Sequence, residues 1–526
     1  MLKFIFNKRK SSNKEIVINA EALEKRVALL ENGRLEEFHI ERTNEQRLVG
    51  SIFKGRIKNL EPGLKAAFVD IGYEKNAFLH YWDIIPESSE TSFEAVETKG
   101  RRPRESSQGS KRPTMDDIPK LFPPGTEVIV QVTKGPIGTK GPRITTDISL
   151  PGRYLVLNPF SDQSGISRKI EDPRERIRLR EILRGMTVPA GMGVIFRTAG
   201  MGLSRRYFIR DLALLVEEWQ KIAERIKVAP IPSSVFNEPG LVHRTVRDFL
   251  TEDIDRIIVD SPAEHDLIAE LVGQVSTRSK AKVKLYDEPM PIFQRFGVDQ
   301  QIEDAFKRQV WLKCGGCIVI DETEAMIAID VNTGRNTSGK DLERTILTTN
   351  LEAAEEVARQ LRLRNIGGLI VIDFIDMRSR RDQHEVTNRL RDHVRRDKAK
   401  THILPISPLG LAEMTRQRQE ESIRDAVFEP CPNCRGRGVV KSAESMSVEI
   451  QRRITEVLRK RSGRGEEVPI RVIVHPEVLE RLHKHDEERL MDMEQRLSGK
   501  LSFRADPSIH KEEFRVINPV SGVEFE

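Results

Sequence analysis

Two apolar runs each end on an aspartate, and a long helical segment lies between them. The first is AMIAIDVNTGR, with Asp330, and the second is GGLIVIDFIDM, with Asp373. The intervening residues 344–364 are rich in Arg and Glu and read as helix. A strand–helix–strand passage of this kind brings together carboxylates that are distant in sequence. Paired carboxylates at strand ends suit a hard divalent cation such as Mg2+. Asn332 lies two residues beyond Asp330, so an extended chain puts both side chains on one face. Asp373 closes a continuous apolar run, the pattern of a strand buried on both faces. Asp376 is a candidate for an outer contact or a helix cap. Against the metal reading stands a plainer one, in which each aspartate only begins a turn. Two like charges held close repel unless a cation sits between them.

The rest of the chain bears on what such a cation would act upon. With 526 residues, several cores are expected. Hydrophobic residues at 38% and charged residues at 32% mark a folded, soluble composition. The net charge is +6, and basic runs recur at Lys8–Lys10, Arg101–Arg102, Arg205–Arg206 and Arg395–Arg396. A polyanionic partner fits that distribution, although an ordinary solvated surface also does. No apolar stretch approaches the roughly 20 residues of a membrane span. The basic start MLKFIFNKRK carries too short an apolar run for a signal peptide. Four cysteines, in the pairs Cys314/Cys317 and Cys431/Cys434, are no disulfide framework, and a reducing cytoplasm is the simplest setting.

Strand-like runs at 51–59, 65–71, 76–80 and 127–134, with glycine turns between them and GPIGTKGPRITTDISL after them, predict a small five-stranded barrel over residues 50–146. Residues 88–118, rich in Ser, Arg and Pro, read as a flexible loop interrupting it. Beyond the barrel, helices and strands alternate in a mixed α/β pattern up to the CxxC at Cys431. Residues 447–526 read as helix, strand, helix and two short strands. Phe68 and Phe78 are aromatic residues of barrel strands. They are core residues by pattern, or stacking platforms if the barrel is of the OB type. FRTAG places Arg197 and Thr198 at a glycine turn, where a guanidinium, a hydroxyl and backbone N–H groups can hold an anion. CPNCRGRG is a zinc-knuckle signal that supplies two thiolates of the four that structural zinc takes. Cys314 and Cys317 of the same chain would complete it, or the same knuckle of a second subunit would. Lys398, Lys400, His402, Arg416 and Arg418 are candidates to line a channel for a polyanion.

These blocks resemble the ribonuclease E/G family of bacterial endoribonucleases across nearly the whole chain. The matching stretches are FKGRI, AAFVDIG, FRTAG, AIDVNTGR, NLEAAEEVARQLRLRNIGGLIVIDFIDM, GLAEMTRQR and CPNCRGRG, in that order. The resemblance implies a mixed α/β multidomain protein. It groups residues 1–49 with 147–240 as an RNase H-like domain, with 50–146 as an inserted S1 barrel. Residues 241–427 become a DNase I-like catalytic domain, 428–440 a zinc knuckle, and 441–526 a small C-terminal α/β domain. It further implies that Asp330 and Asp373 hold a catalytic Mg2+ with help from Asn332. Phe68, Phe78 and Lys140 would grip RNA, and Arg197 and Thr198 would sense a 5′-monophosphate. Cys431 and Cys434 would form half of a Zn2+ link between subunits of a homodimer or homotetramer, leaving Cys314 and Cys317 as buried thiols or a redox-sensitive pair. The expected activity is hydrolysis of single-stranded RNA, leaving 5′-phosphate and 3′-hydroxyl ends, on rRNA precursors and mRNA in the cytoplasm. With the sequence ending at Glu526, the resemblance is nearer the G type than the E type with its long C-terminal arm. One departure is Gly202-Leu203-Ser204, where well-known members carry G-K-S; Arg205 and Arg206 are placed to restore the charge. The competing reading is a non-catalytic RNA-binding or ribosome-assembly factor.

Overall fold

The computed structural model describes residues 13–43, 47–84, 93–95, 117–136, 140–249, 254–275, 280–334, 342–417, 422–429, 431–461 and 468–525. The chain divides into two compact units, Met1–Ala426 and Val427–Glu526. Among the described residues no helix is long and apolar enough to cross a membrane. The architecture is mixed α/β with several cores, as the sequence predicts.

The first unit begins with a meander, Lys14–Ala20, Glu24–Glu31 and Arg34–Arg42. Its second turn uses Asn32 and Gly33 at φ of 53° and 76°, the paired left-handed conformation of a tight hairpin. The meander is extended by Arg256–Val259, which pairs parallel to Lys14–Ala20, and then by Val283–Leu285. Ile16, Ile18 and Val27 share a core with Leu241, Ile257, Val259 and Val283. Residues 150–196 supply four strands of a separate five-stranded sheet, packed on helices Pro173–Gly185 and Arg205–Val228. A parallel pair between segments this far apart leaves no local mark in the sequence.

The barrel forms as expected. Strands Ile52–Glu61, Ala66–Asp70, Ala77–His80, Arg143–Thr145 and Glu127–Lys134 follow one another, and the last pairs back to the first. Alternation puts Ile57, Val69, Leu79, Val130 and Ile144 inside. Ser233–Phe236 adds to Ile52–Glu61 from outside the barrel. The segment read as a loop over 88–118 contains a strand. Phe93–Ala95 forms the edge of the neighbouring sheet beside Gly165–Ser167. Phe93 is buried, and Glu94 pairs with Arg176 and Arg180. The strand is held by these tertiary contacts, not by any periodicity of its own. Gly165 makes room for it, because a Cβ there would collide with the Phe93 ring and the Glu94 carbonyl. Residues 88–92 and 96–116 of that segment fall outside the described residues.

The six-stranded sheet carrying the acidic residues runs Gln309–Trp311, Cys317–Glu322, Met326–Asn332, Gly368–Asp373, Leu411–Arg416, Thr401–Ile403. Helices Leu342–Leu363 and Arg380–Val394 cover one face. Ile327, Ile329, Ile370 and Ile372 pack there against Ala353, Val357, Val386 and Leu390. The opposite face is open, so the strand ending at Asp373 is not buried on both sides: Leu369 is 46% exposed.

The second unit has a three-stranded sheet, Gly499–Ala505, Val468–Val474 and Phe514–Ile517, with helices Ala443–Arg461, Pro476–His485 and Glu487–Leu497. Met446, Ile450 and Ile454 close its core against Ile470, Val472 and Val474.

Substituting Gly165→Val tests the role of the Phe93–Ala95 strand. Overpacking at that contact is expected to cost about 1–3 kcal/mol and to lower the first thermal unfolding midpoint followed by near-UV circular dichroism. An unchanged midpoint would show that the strand contributes nothing to the sheet.

Candidate active site and nucleic-acid interface

Strands Met326–Asn332 and Gly368–Asp373 run parallel, and Asp330 stands in direct register with Asp373. Residues in register on adjacent strands point the same way, with the backbones about 4.8 Å apart. Alternation buries Ile327, Ile329 and Val331 under the helices and leaves Asp330 and Asn332 exposed on the open face. Asp373 is exposed on that same face. The Asn332 amide donates to Asp330 Oδ2 at 2.6 Å, which fixes that carboxylate in position.

Among the described residues, neither aspartate takes part in an ion pair. Nor do those residues contain a group of three or more His, Cys, Asp or Glu side chains placed to hold a metal ion. A cation here would rest on two carboxylates and an amide oxygen, with water completing its shell. That is a donor set characteristic of Mg2+, which keeps several waters and takes few protein ligands.

Two supports were not visible in the sequence. Asn350 is fully buried in helix Leu342–Leu363. Its amide donates to the Ile375 carbonyl at 2.8 Å and its oxygen accepts the Ile375 N–H at 3.1 Å. This reciprocal clamp holds the chain two residues past Asp373. The second support is Cys317, which lies on the adjacent strand opposite Asn332. It is buried, and its Sγ accepts from Gln309 Nε2 at 3.1 Å. Asp376 does not cap the next helix; the Ser379 hydroxyl does, accepting the Asp382 N–H.

On the barrel, Phe68 and Phe78 are register partners. Both sit half-buried on the outer face, and their rings meet edge to face at 5.9 Å. Lys140 is exposed in the turn entering Arg143–Thr145, the strand beside Phe78.

Arg197 caps the short helix Thr198–Gly200. Its guanidinium binds Asp248 at 2.7 Å and the Gly152 carbonyl. Burial pushes the Asp248 carboxyl up, but Arg247 and Arg197 outweigh it and bring the pKa down to about 2. Asp211, also buried, accepts the N–H groups of Tyr154 and Leu155 at 2.8 and 2.9 Å, and so shapes the turn on which Arg197 rests. Thr198 is exposed. The Gly202 N–H already donates to Glu175 Oε1 at 2.8 Å, and Glu175 also pairs with Arg178. A phosphate entering this loop therefore competes with a resident carboxylate. Arg205 is tied to the Gly185 carbonyl, and the Arg206 guanidinium lies 5.0 Å from the Tyr207 ring centroid.

Of the remaining basic candidates, Arg416 is not a channel residue. It is buried and bound to Asp397 at 2.7 Å and to the Ile366 carbonyl at 2.7 Å. The Lys398 ammonium stands 3.0 Å from the Phe249 ring centroid. His402 is exposed on its strand beside Thr415. Arg418 lies outside the described residues.

In the second unit, Cys431 and Cys434 are followed by a turn with Arg435, Gly436 and Gly438 at positive φ. The N–H groups of Gly438 and Gly436 point at the Cys434 sulfur and lower its pKa, which favours the thiolate that binds metal. The turn thus offers two thiolates, half of a tetrahedral zinc site. Cys314 is half-buried, its sulfur 3.8 Å from Thr349 Oγ1.

Two family descriptions match the chain. That of the ribonuclease E/G family covers residues 149–419, and that of the RNase E/G thioredoxin-like domain covers residues 430–519. The chain is 38% identical to ribonuclease G of Escherichia coli K12 over 503 residues, spanning 96% of this chain and 99% of that protein. It is 37% identical to ribonuclease G of Haemophilus influenzae over 504 residues, spanning 96% of this chain and 99% of that protein. With ribonuclease E of Escherichia coli K12 the identity is 42% over 446 residues, spanning 84% of this chain and 40% of that longer protein. These matches span both compact units, and they establish that the chain is an enzyme belonging to the ribonuclease E/G family.

Proposed function

We propose that this chain is a Mg2+-dependent endoribonuclease that cuts single-stranded RNA to 5′-phosphate and 3′-hydroxyl ends. The observation that carries the proposal is the direct register of Asp330 and Asp373 on the open face of their sheet. A Mg2+ held by these two aspartates would supply Lewis-acid polarisation of a phosphoryl oxygen and a lowered pKa for a bound water. Asn332 orients Asp330 through its amide. Asn350 fixes the loop that leaves Asp373. The barrel selects single strands, because Phe68 and Phe78 can stack only on bases released from a duplex. Lys140 would add electrostatic attraction to the phosphates, which weakens with salt.

Arg197 and Thr198 are assigned to a 5′-monophosphate. Arg197 is already shared with Asp248, and Glu175 occupies the neighbouring amide. The 5′-end is thus expected to modulate cutting rather than to be required for it. Residues 1–49 with 147–240 are assigned the RNase H-like role, 50–146 the S1 barrel, and 241–427 the DNase I-like role. Cys431 and Cys434 are assigned to a Zn2+ shared with the same residues of a second subunit, giving a homodimer or homotetramer. Cytoplasmic rRNA precursors and mRNA are the expected substrates.

The decisive experiment uses a short 5′-monophosphorylated RNA. Cutting should stop in EDTA and return with Mg2+. Asp330→Asn and Asp373→Asn should each lower the cleavage rate by at least about 100-fold, the scale of disrupting a metal's ligand environment, with RNA affinity retained. Full cleavage by either variant would reject the site, and binding without any cutting by the unmodified chain would favour the assembly-factor reading.

Two further outcomes are expected. Arg197→Ala should abolish any rate difference between 5′-monophosphorylated and 5′-hydroxylated RNA; a difference that survives would place the 5′-end elsewhere. Cys431→Ser with Cys434→Ser should release zinc and shift the sedimenting species to a smaller assembly. Retention of both zinc and size would rule out the shared knuckle.

A further inference from the structure

The outer row of the barrel does not end at Phe78. His80 follows two residues later on the same face of strand Ala77–His80, its ring 6.3 Å from that of Phe78. Trp82, in the helical turn that follows, stacks on His80 with ring centroids 4.2 Å apart and planes within 13°. The Trp82 backbone N–H donates to His80 Nδ1 at 3.4 Å, which holds the two residues together. Although one indole face lies against the imidazole, Trp82 remains 46% exposed. An indole turned to water is unfavourable unless something covers it.

We infer that His80 and Trp82 form a further base-stacking subsite for single-stranded RNA, continuing the platform of Phe68 and Phe78. This rests on the reading of the barrel as the RNA grip.

Three observations support it. The first is spacing. Alternate residues of a strand stand about 6.6 Å apart, close to the advance of one nucleotide in an extended single strand. The rings at Phe78 and His80 keep that interval, so successive bases meet successive rings. The second is charge. Lys65 is exposed in the turn beside this row, and Arg143, paired with Asp83 at 2.9 Å, lies next to Phe78. Both cations act electrostatically on His80. They are placed to meet phosphates while the rings meet bases. The third is the state of the imidazole. Burial, with Arg143 and Lys65, lowers the His80 pKa, and Asp83 opposes the shift only in part. The neutral ring therefore supports the indole as a flat aromatic surface. Stacking tolerates any base, so the subsite adds affinity and a longer footprint but no sequence code.

The test measures equilibrium affinity of the full chain, with Mg2+ withheld, for a short and a longer oligouridylate. Stacking is worth about 1–3 kcal/mol per base, which at 1.4 kcal/mol per tenfold is about 5- to 140-fold in affinity. Trp82→Ala should weaken the longer oligomer by that factor and leave the short one, which fits on Phe68 and Phe78 alone, nearly unchanged. Trp82→Phe should restore most of the loss, and Trp82→Leu, which is apolar but cannot stack, should not. Phe78→Ala is the control and should weaken both oligomers. If Phe78→Ala weakens binding and Trp82→Ala does not, the subsite is overturned and the barrel reading stands. If neither does, the barrel reading fails and the subsite with it. Equal rescue by leucine would replace stacking with simple apolar cover and also overturn the proposal.

Discussion

The parallel pairing of Met326–Asn332 with Gly368–Asp373 is the constraint on which the proposed chemistry depends. A slip of one residue would turn either aspartate into the helix-covered core. The register is secured from below. Ile327, Ile329, Ile370 and Ile372 must all stay under the two helices, and the apolar area they bury fixes where the acids emerge. The same pattern that stabilises the sheet places two like charges side by side on its open face. Their repulsion is tolerated on a water-exposed face and would be relieved by a bridging cation.

Around that pair the molecule uses buried polar groups as splints. Asn350 pins the backbone beyond Asp373, and Asp211 gathers three amides beneath Arg197. Both are buried and hydrogen-bonded, as groups removed from water must be. In the second unit the backbone amides of Gly438 and Gly436 favour the Cys434 thiolate. In each case the arrangement is one of fixed backbone geometry.

Much of this was legible in the sequence. The barrel strands alternate cleanly and are punctuated by glycine, so their period and closure could be read. Asp330 and Asp373 could be read because each follows an apolar run. The rest was hidden for physical reasons. The run GGLIVID suggested a strand covered on both sides, yet Leu369 faces outward, since an apolar side chain carries no label for which face it lines. Asn350 looked like one more polar position on a helix, and only its burial shows its role. The partnership of Lys14–Ala20 with Arg256–Val259 joins segments some 241 residues apart, beyond the reach of any local pattern. Phe93–Ala95 is three residues long and has no period to detect.

That short edge strand has a mechanical consequence. The barrel is fastened to the body through Ser233–Phe236, which joins its strand Ile52–Glu61. It is fastened again through Phe93–Ala95, which leaves the barrel's own connection to join the sheet behind Arg197. Two such seams on different edges oppose independent swivelling. The proposed base-stacking surface and the proposed 5′-terminus loop would then move as one rigid arm, and the separation between them would set how far along a transcript the chain grips.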